Sequence, residues 1–339
     1  MSSTASLESL RTALLAAQDH IRDSVLAARN ASSNDALSAV STVTAADTIY
    51  AIDKVSEEAI AHWFAANWPK DEPVELVLEG IEEGDPVTFP EGTPVARTRW
   101  KCIIDPIDGT RGIMYDKRPA WVLAGLAPQR GPATNTSDIV LAAMTELPTT
   151  KQWRSDQVSA IAGAGRTGLR AESLHLFTGV RQPLLLRPSS ATDFRHGFAS
   201  LARFFPEGKA LTAQIEERLW QELYGTDHKN LPPIFDDQYI STGGQFHELL
   251  AGHDRMLGDL RPLVFAKLGL TSSLVCHPYD ICTELILREA GGVVEKPDGT
   301  RLDAPLDTVS PVAWIAFANE ALARQVRPIL ARVLNEDLA

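Results

Sequence analysis

Apolar positions change period along the chain, and the change divides helices from strands. Near the start, Leu7, Leu10, Leu14, Ile21 and Val25 recur at helical spacing, which predicts an amphipathic first helix. It gives way to a polar stretch, Asn30-Ala31-Ser32-Ser33-Asn34-Asp35. A second helix is predicted from about Asp47 to Trp68, with Ile49, Ile52, Ile60 and Phe64 on its apolar side and Pro69 just after it. Then the pattern shortens. Residues 74–78 (Val-Glu-Leu-Val-Leu) read as a strand ending at Glu79-Gly80, and residues 100–104, 121–127, 138–146 and 158–162 read as further strands. Gly163-Ala164-Gly165 lacks the strand, helix and downstream acid of a dinucleotide fingerprint and reads as a turn.

The first domain is expected to cover 1–182, with 183–339 forming a second α/β domain that opens at Leu184-Leu185-Leu186. Residues 210–224 form an amphipathic helix, and Ser241-Thr242-Gly243-Gly244-Gln245 opens another, with a Ser or Thr cap. A helix after Asp280 runs into Gly291-Gly292. A strand at 312–316 and a final helix over 319–334 close the chain.

Length and composition narrow the class. The 339 residues suit one large or two coupled domains, and with 44% hydrophobic and 22% charged residues a packed core is expected. A net charge of −12 argues against a nucleic-acid or anionic-membrane partner. It leaves an anionic phosphate substrate open, because bound cations reverse the local sign. No apolar stretch is long enough to span a bilayer, and no signal peptide is read at the N-terminus. Cys102, Cys276 and Cys282 have neither metal spacing nor an even count, so buried core thiols and a cytoplasmic setting are expected.

The candidate chemistry centres on Asp105-Pro106-Ile107-Asp108-Gly109-Thr110, which follows the apolar run at 100–104. Pro106 fixes its own φ and restrains Asp105, while Gly109 lets the backbone turn or approach a ligand. Two carboxylates, a carbonyl and a hydroxyl are thus held together, a donor set suited to hard divalent cations. Taken alone, such a stretch is as well explained as an acidic turn. It has company in His277-Pro278-Tyr279-Asp280, followed by an apolar-periodic helix that ends in Glu289-Ala290-Gly291-Gly292.

The two stretches, in this order, resemble the inositol monophosphatase family of metal-dependent phosphatases. The resemblance is close over 100–125 and 277–295, weaker over 40–80 and poor over 188–237. It implies a layered α-β-α-β-α sandwich and a site gathering Glu79, Asp105, Asp108 and Asp280, with Asp53 nearby. The family's Asp followed four residues later by Glu fits Asp53 and Glu57, whereas its Thr-x-x-Asp fits Thr44 to Asp47. Asp53 is preferred because the following helical pattern matches better, leaving Asp47 as a helix N-cap. Glu79 is chosen over Glu82 and Glu83 as the strand-end acid.

By the same resemblance, Glu79, Asp105 and the Ile107 carbonyl hold one Mg²⁺ ion, and Asp105, Asp108 and Asp280 hold a second. Glu79 and Asp53 serve a third, weaker one. Oxygen-only ligands favour Mg²⁺ over Zn²⁺. Activated water, oriented by Glu79 and Thr110, attacks a phosphate held at Asp108, Gly109 and Thr110. Arg111 either contacts a second anionic group or pairs with a nearby carboxylate. Thr242 lies beside the leaving group, and Arg255 falls where family members touch substrate.

The implied activity is hydrolysis of a small phosphorylated polyol or sugar, with lithium sensitivity and a homodimer common among relatives. A sugar bisphosphate, histidinol phosphate or a 3′-phosphoadenosine nucleotide is the alternative substrate. A non-catalytic, partner-binding member of the fold is the alternative role.

Overall fold

The computed structural model describes residues 4–31, 40–43, 48–78, 86–225, 234–271 and 274–338. The strands are β1 (Val40–Val43), β2 (Thr48–Tyr50), β3 (Val74–Leu78), β4 (Val87–Phe89), β5 (Trp100–Asp108), β6 (Ala120–Pro128), β7 (Leu141–Leu147), β8 (Arg154–Ile161), β9 (Arg170–His175), β10 (Arg181–Pro183), β11 (Phe198–Leu201), β12 (Asp254–Asp259), β13 (Val293–Glu295) and β14 (Trp314–Phe317). The helices are α1 (Thr4–Ala31), α2 (Ala51–Asn67), α3 (Thr110–Ile113), α4 (Lys209–Tyr224), α5 (Thr242–Ala251), α6 (Arg261–Leu268), α7 (Pro278–Ile281), α8 (Glu284–Glu289) and α9 (Glu320–Asp337).

A large sheet runs in the order β10-β9-β8-β7-β6-β5-β3-β4, and a smaller one in the order β11-β12-β14-β13. The large sheet is antiparallel except where β3 lies parallel to β5. In the small one, β11 and β12 are parallel. Because successive side chains leave a strand on opposite faces, the large sheet feeds two cores. Cys102 and Ile104 of β5, Val122 and Ala124 of β6 and Leu141 and Ala143 of β7 point into an outer core with Leu14, Ile21, Ile60 and Phe64 of α1 and α2. Ile103, Trp121, Leu123, Ala142 and Met144 point the other way, onto Phe246 and Leu249 of α5 and Leu285 and Ile286 of α8. That second core continues through Leu257 and Ile315 of the small sheet to Ile215 of α4 and Val326 of α9. The layers are therefore α-β-α-β-α, as expected, and no described helix is long and apolar enough to cross a membrane.

Several boundaries differ from the sequence reading. The second helix begins at Ala51, after the β1–β2 hairpin. Leu184–Leu186 form no strand, and the small sheet starts at β11. The stretch 188–237 supplies β11 and α4, integral parts of the small sheet and its outer layer. The helix after Asp280 is broken at Cys282-Thr283 into α7 and α8.

Candidate active site

Asp105 and Asp108 are three residues apart, a spacing that puts side chains on opposite faces of a regular strand. The β5–β6 register shifts between them: Asp105 pairs with Leu123 but Asp108 with Trp121. This bulge absorbs one extra residue. It turns Ile107 into the outer core and both aspartates toward the middle layer. Asp280, on α7, meets them there. Each of the three carboxylates offers an oxygen, and these lie within 4.8 Å of one another. The Ile107 amide donates to Asp105 Oδ1 at 3.0 Å, and the His277 amide donates to Asp280 Oδ2 at 2.6 Å.

Asp108 is held by the first turn of α5. Ser241 Oγ donates to Asp108 Oδ2 at 2.7 Å, the Gly243 amide to the same oxygen at 2.6 Å, and the Thr242 amide to Oδ1 at 3.1 Å. Ser241 is also the N-cap, accepting from the Gly244 amide at 2.9 Å. Gly243 permits this approach: a Cβ there would lie 2.4 Å from Leu123 Cδ2 and 3.1 Å from Asp108 Oδ2. Gly109 is constrained twice, by φ of 98° and by Ile240 O and Ser241 Cβ, each 3.0 Å from an added Cβ. Despite three donors, burial raises the Asp108 pKa to about 6, outweighing the hydrogen bonds from Ser241, Gly243 and Thr242 that lower it.

Thr110 opens α3. Its hydroxyl lies 3.0 Å from Asp53 Oδ1 and 2.8 Å from the Ile107 carbonyl oxygen. That contact brings Asp53, buried on α2, to the motif. Asp47 and Glu79 lie outside the described residues, as do Glu82 and Glu83.

The cleft is lined by the three aspartates together with Ile107, Gly109, Thr110, Arg111 and Thr242. Arg255 is a correction: it does not line the cleft. It sits at the opposite end of β12, where its guanidinium donates to the Asp193 carbonyl at 2.9 Å and the Arg195 carbonyl at 2.8 Å. The sequence reading singled out neither Phe204, Phe205 and Arg261, which also line the cleft, nor Ser241 as a direct partner of Asp108. Arg261 Nε donates to both Asp259 carboxylate oxygens, at 2.9 and 3.0 Å, with Nη2 on Oδ2 and Nη1 on the Leu274 carbonyl at 2.8 Å. An Asp-x-Arg at the end of a buried strand was the available signal.

The fold has solved counterparts. The extragenic suppressor protein suhB from Bartonella henselae superposes with a TM-score of 0.64 at 17% identity, covering 97% of this chain and 99% of that one. Leishmania major fructose-1,6-bisphosphatase gives 0.65 at 14% identity, covering 96% and 93%. A hypothetical protein from Pyrococcus horikoshii with similarities for inositol-1 monophosphatase gives 0.59 at 15%, covering 95% and 97%. No protein-family model and no curated protein matches the sequence. The likeness runs through nearly the whole chain: the chain shares the fold of these suhB, fructose-1,6-bisphosphatase and inositol-1-monophosphatase-like structures.

Proposed function

We propose that the protein is a metal-dependent phosphomonoesterase that hydrolyses a small phosphorylated metabolite by direct attack of water. The observation that carries this reading is the convergence of Asp105, Asp108 and Asp280 beside the Thr110–Asp53 contact. The donor set fits a hard divalent cation. It is all carboxylate, with no His or Cys, which favours Mg²⁺ over Zn²⁺. The raised pKa of Asp108 is the mark of a buried charge that a cation would relieve. Asp105, Asp108 and Asp280 would hold the metal, with Glu79 and the Ile107 carbonyl as further ligands.

Bound there, two or three cations would activate water and neutralise charge on the phosphate and the departing oxygen. The chain's own residues do the rest. Asp53 Oδ1 and the Ile107 carbonyl compete for the single Thr110 hydroxyl proton. Either bond fixes the rotor, so that a lone pair of Thr110 Oγ1 can accept a hydrogen bond from the attacking water. Asp53, and Glu79 by the same reading, would take the proton that water loses. The backbone at Gly109 and Thr110 would hold the phosphate. Thr242, tied by its amide to Asp108, would lie beside the leaving group. One water is consumed, and the ester becomes an alcohol and inorganic phosphate.

The test is phosphate release from a panel of phosphorylated metabolites, with Mg²⁺ titrated and then chelated. Magnesium-dependent release, abolished by chelation, is the expected outcome. No release from any ester by folded, Mg²⁺-saturated protein would sink the reading.

A further inference from the structure

Asp108 depends on two elements. One is the β5–β6 register, in which it pairs with Trp121. The other is the first turn of α5, which aims three donors at its carboxylate. A single buried side chain outside the cleft, Tyr239, touches both. We infer that Tyr239 is a positioning residue for Asp108: it pins the start of α5 to the start of β6 and so sets where the Ser241, Thr242 and Gly243 donors stand. Its consequence for the metal rests on the reading above; its geometry does not.

The contacts to β6 are polar. Tyr239 is 6% exposed, and its hydroxyl donates to the Pro119 carbonyl at 2.9 Å while accepting from Trp121 Nε1 at 3.2 Å. The phenol is thus used as donor and as acceptor, and its partners flank Ala120, the first residue of β6. Trp121 passes the constraint on. Its ring lies 4.8 Å from that of His247 of α5, tilted by 32°, and its Cβ is 3.1 Å from where a Cβ on Gly243 would stand.

The contacts to α5 are made by the backbone and the ring. The Ser241 amide donates to the Tyr239 carbonyl at 2.9 Å, which fixes the chain as it enters the turn. The ring lies against Gly244: a Cβ there would stand 2.3 Å from Cε1 and from Cζ, so only glycine lets the turn come this close. The Arg118 guanidinium, held by both oxygens of Asp237 at 2.5 and 2.7 Å, stands 5.1 Å from the ring centre. The amides that open a helix have no partner within it. Here the Thr242 and Gly243 amides serve Asp108 at 3.1 and 2.6 Å. Moving the turn by about half an ångström would carry the longer bond out of range.

Tyr239→Phe keeps the ring and removes the hydroxyl. It is compared with Phe64→Leu, a substitution in the outer core. Exchange of the Thr242 and Gly243 amides is followed by NMR in EDTA, relative to the amides of β7, and Mg²⁺ affinity is measured by calorimetry. In Tyr239→Phe the two amides should exchange about tenfold or more faster on that relative scale. The Mg²⁺ Kd should rise about fivefold or more. Phe64→Leu should lower the unfolding temperature and leave both quantities unchanged. Gly244→Ala presses on the ring without touching its hydroxyl and should speed the same two amides. Unchanged relative exchange in both Tyr239→Phe and Gly244→Ala, the same change in Phe64→Leu, or an unaltered Kd despite faster exchange overturns the inference. The expected exchange in a protein that binds no Mg²⁺ at all would leave the role of Tyr239 standing and remove the metal-site reading instead.

Discussion

Asp108→Asn separates the proposed metal-binding role of this carboxylate from its structural one. In the metal-free protein the carboxylate is a burden: burial lifts its pKa from 3.8 to about 6, a shift of about two units, or roughly 3 kcal/mol against the charged form at neutral pH. Asparagine removes that burden. Its oxygen can take the place of Oδ2 and accept from Ser241 Oγ and the Gly243 amide. Its NH₂ then faces the Thr242 amide, which now donates to Oδ1 at 3.1 Å. One buried donor loses its acceptor, at a cost of about 1–3 kcal/mol. The two effects nearly cancel, so the variant in EDTA should unfold within about 2 kcal/mol of the parent.

With Mg²⁺ the comparison reverses. A cation at 100 times its Kd stabilises the parent by about 2.7 kcal/mol, and the variant should lose most of that gain together with about a hundredfold or more in turnover. Calorimetry in EDTA and in Mg²⁺, beside phosphate release, reads all three quantities. The sign of the pH dependence adds a check. Asp108 has a folded pKa above its unfolded one, so its contribution to metal-free stability is fully present below about pH 4 and is lost as pH rises through about 6. In EDTA the parent should therefore gain on the variant as pH falls from 7 to 4. A Mg²⁺-induced stabilisation that survives in Asp108→Asn, or a collapse in EDTA well beyond 2 kcal/mol, refutes the reasoning.

Two further outcomes are expected. Thr110→Val removes the hydroxyl that meets Asp53 and Ile107 at nearly constant shape; kcat should fall about 10²-fold or more with Mg²⁺ stabilisation retained, and unchanged kcat would exclude Thr110 from orienting the water. Glu284, buried on α8, has its pKa raised to about 7 by burial, which Arg288 at 2.9 Å and Arg301 only partly offset. Its stabilising contribution is present below about pH 4.5 and lost as pH rises through 7, so Glu284→Gln should gain on the parent at pH 8 by roughly 1–3 kcal/mol and lose the advantage by pH 5. Chemical unfolding at the two pH values checks it, and an equal difference at both would show that the charge is not the cause.

What could be read from the sequence follows from which interactions are local. The 2.0 and 3.6 periods mark the strands and helices because each faces one core, and α1, β6 and β7 fall close to where they were expected. The Asp105–Thr110 loop is legible because Pro106 and Gly109 restrict the backbone themselves. The bulge that turns Asp105 and Asp108 the same way is not, since it depends on pairing with β6. Arg255 shows the limit of placing a residue by its neighbourhood in the chain. It begins β12, and the residues at the cleft lie at the strand's other end, about 13 Å further along at 3.3 Å per residue. Phe204 and Phe205 gave no periodic signal, because they serve a cation rather than a core.

The placement of the site explains why stability and metal binding should be linked in this fold. Asp105 and Asp108 come from the large sheet, while Asp280 and the Ser241–Gly243 turn belong to the middle layer that also packs on the small sheet. The hydrogen bonds to Asp108 already tie β5 to α5, but they end on a carboxylate whose charge the interior disfavours. Asp280 adds a further carboxylate from a separate helix, α7, whose neighbour α8 carries a second costly acid in Glu284. A bound cation would offset the cost of the buried charge on Asp108 with a contact shared by sheet and helix. The metal-dependent part of the stability should therefore reside in the seam between β5 and the α5–α8 layer, and hydrogen exchange in that seam, rather than in α1 or α9, is where chelation should register first.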